Sequence, residues 1–284
     1  LLGFSKDKKY VAYAINQSGS DWQTIYVMEV ATKKLMSDKL DWVKFSGASW
    51  KDNGFYYARY DAPPKGKEFS QKNEYHKIYY HRMGDTQDKD VLVYENKNKP
   101  LRYYGASVTE DERFLIIYVS EGTDGTEMYY KDLQNNQKDF GLLFAGFEDN
   151  YSVINNIGDK LLVQTDAGAP NQRVILVDPK NPKKENWKDV IPEKTELLES
   201  AATGGGKLFV SYLKDVTTHV YQYSLEGNLE HEIALPALGS AFGFSGDKED
   251  ALIFYTFTSF TYPPAIYKYD IASGKSEIWQ KSDV

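Results

Sequence analysis

Apolar and polar positions follow one scheme along the chain, repeated six times. A short polar turn carrying Asp or Gly leads into an apolar strand. It reads FSKDKKYVAY (4–13), SWKDNGFYYARY (49–60) and VTEDERFLIIYV (108–119), with weaker copies at NIGDKLLVQT (156–165), TGGGKLFVSY (203–212) and FSGDKEDALIFYTF (244–257). Asp and Gly accept tight-turn backbone geometry, and the residues after them follow a strand pattern. Some 15 to 25 residues later comes an alternating strand rich in Tyr and Val, then a polar turn: TIYVMEVATKK (24–34), HKIYYHRMGD (76–85), EMYYKDLQNN (127–136), RVILVDPKNP (173–182), HVYQYSLEGN (219–228) and AIYKYDIASGK (265–275). Each repeat closes on one or two short strands, such as VLVYENK, FGLLFAGF and LEHEIALP.

Four strands per repeat is the unit of a β-propeller blade. The equivalent positions Ile25, Ile78, Tyr129, Ile175, Tyr221 and Tyr267 are spaced by 53, 51, 46, 46 and 46 residues. The early steps are longer because DAPPKGKEFSQKNEY (61–75), rich in Pro, Gly and Lys, is inserted in the second repeat and is expected to run over the surface. A β-sandwich has similar strand spacing but gives no reason for six like units at one period. The expectation is therefore an all-β chain forming a single β-propeller domain over 1–284. Its blades are placed at roughly 3–43, 45–104, 106–147, 149–193, 197–237 and 239–281. The start, LLGFSKDKKYVAY, reads as the middle of a domain, so a further blade is expected upstream of Leu1.

Composition narrows the chemistry. Aromatic residues make up 15% of the 284, with 23 Tyr, which suits half-buried pleated surfaces. The formal net charge of −7 argues against a nucleic-acid partner, which needs clustered Lys and Arg. No apolar run approaches the ~20 residues of a helical membrane span, so no membrane partner is expected. The absence of cysteine excludes disulfides and Cys nucleophiles and is compatible with both cytoplasm and periplasm. No G-x-S-x-G elbow occurs, so this chain alone is not expected to carry a serine nucleophile. His76 and His81, five residues apart, fall on opposite faces of a strand, and exposed strand-edge positions are expected for them. Neither a metal site nor a cofactor is expected. The recurring Asp7, Asp52, Asp111, Asp159 and Asp247 are expected to cap backbone N–H groups in turns. Gly204-Gly205-Gly206 is expected to form a hairpin turn rather than a phosphate loop.

Taken in order, SGSDWQTIYVMEV (18–30), WVKFSGASWKDNGFYYARYD (42–61), HKIYYHRMGDTQDKDVLVYE (76–95), EGTDGTEMYYKDL (121–133), NQRVILVD (171–178), YLKDVTTHVYQYSLEGN (212–228) and FYTFTSFTYPPAIYKYDI (254–271) resemble the propeller domain of the prolyl oligopeptidase family. The resemblance covers essentially the whole chain. It implies a seven-bladed propeller, of which six blades stand here, that covers the active site of an α/β-hydrolase domain in the same parent chain. That domain would begin soon after Val284. It also implies a serine peptidase that cleaves short peptides after proline, with the propeller acting as a non-catalytic size filter. By motif position, substrate-pocket lining would fall to Tyr56 in G-F-Y-Y and Thr123 in E-G-T-D, where family members can show Phe and Cys. The alternative for Tyr56 is a blade-core tyrosine. The alternative for the whole chain is a stand-alone propeller that binds a protein or glycan partner.

Overall fold

The six repeats become six four-stranded antiparallel sheets, each a meander of strands consecutive in sequence. The structure is a computed structural model that describes residues 1–16, 19–135 and 137–281. Ser18 of the SGSDW stretch and Asn136 of EMYYKDLQNN lie outside the described residues. Two compact units divide the chain, Leu1–Glu148 and Asp149–Val284, with three sheets in each.

In the first unit, blade 1 holds β1 (Gly3–Phe4), β2 (Tyr10–Asn16), β3 (Gln23–Glu29) and β4 (Leu35–Val43). Blade 2 holds β5 (Ser49–Lys51), β6 (Gly54–Arg59), β7 (Lys77–Arg82) and β8 (Val91–Tyr94). Blade 3 holds β9 (Tyr103–Val108), β10 (Phe114–Ser120), β11 (Glu127–Asp132) and β12 (Gly141–Phe144). In the second unit, blade 4 holds β13 (Tyr151–Ile157), β14 (Lys160–Thr165), β15 (Arg173–Val177) and β16 (Lys188–Ile191). Blade 5 holds β17 (Leu197–Gly204), β18 (Lys207–Lys214), β19 (Thr217–Ser224) and β20 (Leu229–Glu232). Blade 6 holds β21 (Ser240–Ser245), β22 (Leu252–Ser259), β23 (Tyr262–Asp270) and β24 (Lys275–Lys281).

Position within the blade explains the hydrophobic pattern. Second strands such as β6, β10 and β18 are buried along most of their length, because sheets cover both of their faces. Hence FLIIYV and LFVSY are apolar almost without a break. Third strands alternate. In β11, Met128, Tyr130 and Asp132 turn inward while their neighbours are half-exposed. Outer strands β20 and β24 are largely exposed and read polar, LEHE and KSEIWQK.

The core lies between neighbouring blades. Ile25, Leu40, Phe55 and Tyr57 pack together between blades 1 and 2, and Ile78, Tyr104, Leu115 and Ile117 between blades 2 and 3. In the second unit, Leu162, Leu198, Val210 and Tyr223 join blades 4 and 5, and Phe209, Tyr255, Phe257 and Tyr269 join blades 5 and 6. Each such aliphatic or aromatic side chain contributes about 1.5–3 kcal/mol when fully buried.

The turns bear out part of the carboxylate reading. Asp7 accepts the Lys9 N–H at 3.1 Å and the Ser5 hydroxyl at 2.8 Å, while the Tyr10 N–H donates to Ser5 Oγ. Thr109, Asp111, Arg113 and Phe114 repeat this arrangement in blade 3. Asp52 differs: it takes the left-handed conformation itself, with φ +50°. Gly204 and Lys207 pair across a two-residue hairpin in which Gly205 and Gly206 have φ of +55° and +70°. A Cβ on Gly205 would lie 2.5 Å from the Asp250 carbonyl oxygen, a backbone atom that cannot move aside, so glycine is required there. The 61–75 insertion carries no strand or helix and is mostly exposed, as expected. No helix among the described residues is long and apolar enough to cross a membrane.

Candidate functional site

A meander sets its alternate loops at opposite ends. In the first unit, the loops between second and third strands share one end with the connections from blade to blade. Side-chain contacts confirm it. The Trp22 indole, just before β3, meets Trp42 at 5.5 Å and Tyr60, just after β6, at 6.1 Å. Lys44 Nζ lies 4.0 Å from the Trp22 ring centroid. Trp22 Nε1–H donates to the Glu68 carbonyl at 2.7 Å, which ties the 61–75 insertion to this end. Trp22, Trp42, Asp41, Glu68 and Phe69 line a cleft of about 350 Å³ there.

Three further aromatic residues reach solvent at the same end. Phe45, in the connection to blade 2, is 65% exposed, and its ring centroid is 5.4 Å from that of Tyr103 at the start of β9. Tyr103 donates its hydroxyl to the Gly122 carbonyl at 2.7 Å. Tyr75, before β7, is also exposed, and its N–H donates to the Pro100 carbonyl. Trp42, Phe45 and Tyr75 have φ of +62°, +52° and +62°. Large side chains rarely adopt that conformation, and such strained positions cluster at ligand clamps.

Thr123 belongs to this neighbourhood. It is exposed in the β10–β11 loop, one residue from the carbonyl that Tyr103 holds. Arg102 secures both sides of the loop, bonding Glu121 at 3.0 Å and Glu127 at 3.1 Å. Tyr56 lies elsewhere. It is 9% exposed, near the β5–β6 turn, packed among Ala58, Ile78 and Tyr104, with its ring 5.0 Å from Tyr80. Burial is the main cause that pushes its hydroxyl pKa up to about 12. The structure therefore does not bring Tyr56 and Thr123 together: they sit towards opposite ends of the blades.

The expectation of exposed histidines at 76 and 81 is corrected. His76 is 1% and His81 is 0% exposed. His81 is bonded on both nitrogens, by Nε2 to Asp38 at 3.0 Å and by Nδ1 to Asp90 at 2.6 Å. Two carboxylates offset the cost of burying a cation there. Burial alone would lower the His81 pKa, but the bonds to Asp38 and Asp90 outweigh it and raise it to about 9. Desolvation would likewise raise Asp38, yet His81 and the Gly84 N–H hold it below the usual carboxylate range.

His76 is the opposite case. Its Nδ1 accepts the Tyr104 N–H at 2.9 Å, which leaves Nε2–H to donate to the Lys44 carbonyl at 3.0 Å. No carboxylate compensates, and burial lowers its pKa from 6.5 to about 4. The unfolded chain takes up that proton near pH 6.5 and the folded chain only near pH 4. Acidification across this window therefore costs about 3 kcal/mol of stability. Chemical denaturation at pH 7 and pH 4.5 should show a smaller acid loss for His76→Gln than for the wild type. An equal loss in both would remove His76 as the cause.

Similarity to known proteins agrees with this architecture. The family model described as prolyl oligopeptidase, N-terminal beta-propeller domain, matches residues 2–282. The prolyl endopeptidase of Elizabethkingia meningoseptica is 43% identical over 284 residues, covering 100% of this chain and 40% of the relative. Prolyl oligopeptidase A of Amanita bisporigera is 30% identical, covering 98% and 40%. A prolyl endopeptidase structure solved to study inter-domain dynamics in catalysis and specificity superposes with a TM-score of 0.90 at 34% identity, over 99% of this chain and 42% of that one. Prolyl oligopeptidase B from Galerina marginata, bound to a 25mer macrocyclization substrate, gives 0.88 at 26% identity over 99% and 42%. The chain thus spans about 40% of the length of the curated relatives it matches. Six four-stranded blades, the ordered motifs and a match across nearly every residue place this chain in the prolyl oligopeptidase N-terminal β-propeller family.

Proposed function

We propose that this chain is the non-catalytic, substrate-filtering propeller of a serine-type oligopeptidase that cleaves short peptides after proline. The carrying observation is an aromatic patch beside Thr123 at one end of the first unit, in which Phe45 and Tyr75 are exposed and the half-buried Tyr103 packs against Phe45. Aromatic-lined surfaces suit proline-containing peptides, whose stiff extended backbone loses little entropy on docking. The patch, with Thr123, would contact the peptide upstream of the scissile bond. Tyr56, set in the core, would support it only through packing.

The partner in this reading is an α/β-hydrolase domain of the same longer protein. The second unit offers apolar tips for such a contact. Val216, Leu238 and Phe260 are strongly exposed on its strand 2–3 loops and on a blade connection. Val216 is β-branched yet has φ +62°, a conformation that needs outside support. The lid would exclude water and bulky substrates while the enclosed site is closed.

The test uses the longer protein encoded with this chain. Short proline peptides should be hydrolysed on the carboxyl side of proline, a serine-directed inhibitor should abolish turnover, and folded proteins with proline-containing loops should resist. Cleavage of folded proteins at rates similar to short peptides would sink the filter. Absence of proline-peptide turnover would sink the peptidase assignment and turn attention to a stand-alone binding propeller.

A further inference from the structure

We propose that His76 is the positioning residue for the aromatic patch of Phe45, Tyr75 and Tyr103, and so governs affinity for the longer proline-containing peptides that reach it. The inference rests on the substrate-facing reading of that patch.

The geometry is specific. Through its two ring nitrogens, one imidazole joins backbone from three blades. Lys44 lies in the connection from blade 1 to blade 2, His76 leads into β7 of blade 2, and Tyr104 is in β9 of blade 3. Each of these residues is the sequence neighbour of one member of the patch: Lys44 of Phe45, His76 of Tyr75, and Tyr104 of Tyr103. Fixing the three backbone positions therefore fixes the origin of all three aromatic side chains. Tyr60 packs on the imidazole with ring centroids 4.5 Å apart, so the ring has a fixed seat.

Phe45 and Tyr75 stand in the left-handed region, which L residues keep only where their surroundings hold them. The Tyr104 N–H and the Lys44 carbonyl supply that hold through His76. A buried imidazole with both nitrogens engaged by backbone cannot touch a substrate. It can act only by setting where Phe45, Tyr75 and Tyr103 stand. Binding gains when such groups are preorganised, because less ordering is left to the moment of association.

Two substitutions separate the bonds. His76→Phe keeps the ring and removes both. His76→Asn keeps an acceptor where Nδ1 stood, towards Tyr104, but is too short to reach Lys44. His76→Gln places its amide where Nε2 stood and keeps a donor to the Lys44 carbonyl, but loses the acceptor towards Tyr104. The assay uses the longer protein with its peptidase domain and two proline peptides, one long enough to reach the patch and one too short. The readout is the ratio of KM for the long peptide to KM for the short one. His76→Phe, which loses both bonds, should raise this ratio by about five- to tenfold, and His76→Asn and His76→Gln, which each keep one bond, should raise it by about two- to fivefold.

An unchanged ratio in His76→Phe and His76→Asn, with only a lower melting temperature, would overturn the proposal and leave His76 a structural tie. If His76→Phe does not fold, His76→Asn decides alone by the same ratio. Phe45→Ala and Tyr103→Ala separate the two levels of the argument. If they raise the ratio and the His76 variants do not, only the role of His76 falls. If they leave it unchanged, the patch is not substrate-facing and both readings fall.

Discussion

Replacing His81 by leucine is expected to destabilise the fold by about 3–5 kcal/mol, because it leaves Asp38 and Asp90 facing each other in a dry interior. Both carboxyl side chains are essentially inaccessible. Asp38 comes from blade 1, while His81 and Asp90 come from blade 2, so the cation neutralises a charge pair drawn from two blades. Other groups are committed to the same network. The Tyr57 hydroxyl donates to Asp90 at 2.5 Å, and burial together with that bond pushes its pKa well above the ordinary phenol value. The Gly84 N–H donates to Asp38, whose Oδ2 has no hydrogen-bond partner among the described residues, so the site has little spare capacity to solvate a bare carboxylate.

Equilibrium unfolding in urea at pH 7 measures this cost. Adding Asp38→Asn to His81→Leu should recover part of the loss, since a neutral amide is cheaper to bury than a charge. A cost below about 1 kcal/mol for His81→Leu would mean that the network is not ionised as described. The same cation sets an alkaline limb. His81 binds its proton up to about pH 9 when folded and only to about 6.5 when unfolded. Its contribution is complete below pH 6.5 and fades as the pH rises through 9, a loss of about 3 kcal/mol. His81→Leu should lack that limb.

Phe257→Ala is expected to cost about 3–5 kcal/mol in the second unit. The Phe257 side chain is inaccessible in β22 and meets Tyr262 and Tyr267 edge-on, with ring centroids at 5.8 and 6.4 Å. Gly239 is pressed against the same ring, since a Cβ there would stand 2.8 Å from Phe257 Cζ. Deleting the ring leaves a cavity walled by two tyrosines of β23 and by the backbone at Gly239, and strand-bound walls relax poorly into such voids. Phe257→Leu, which keeps most of the volume, should cost markedly less. Thermal and urea unfolding of both variants decide it, and equal small losses would show that the wall collapses.

The fold was legible because blade position dictates composition. A second strand must be apolar on both faces, and FLIIYV can serve as little else. A third strand must alternate, and EMYYKD does. The histidines were not legible from local pattern. One of the two carboxylates that keep His81 charged is Asp38, 43 residues upstream, and no strand pattern marks it. The aromatic patch was missed for a related reason. Phe45 and Tyr75 look in sequence like the many core aromatics around them. Their exposure follows from left-handed backbone in connections, which Phe and Tyr do not advertise as Gly or Asn would. Gly205-Gly206 does advertise it, and its hairpin was read correctly. Motif position marked Thr123 and Tyr56 alike, but a strand fixes which way each residue turns, and Tyr56 turns into the core.

The meander has a consequence for how the chain reaches this state. Each sheet pairing joins strands that are neighbours in sequence. Apart from the 61–75 insertion between β6 and β7, only short segments must close before a pairing is rewarded, so the entropy of closing loops stays small. Pairings within a blade reach no further along the chain than one repeat, which favours assembly over all-β folds whose strands pair at greater distance. Each blade can zip hairpin by hairpin as it leaves the ribosome, and only the packing of one blade on the next has to wait for more chain.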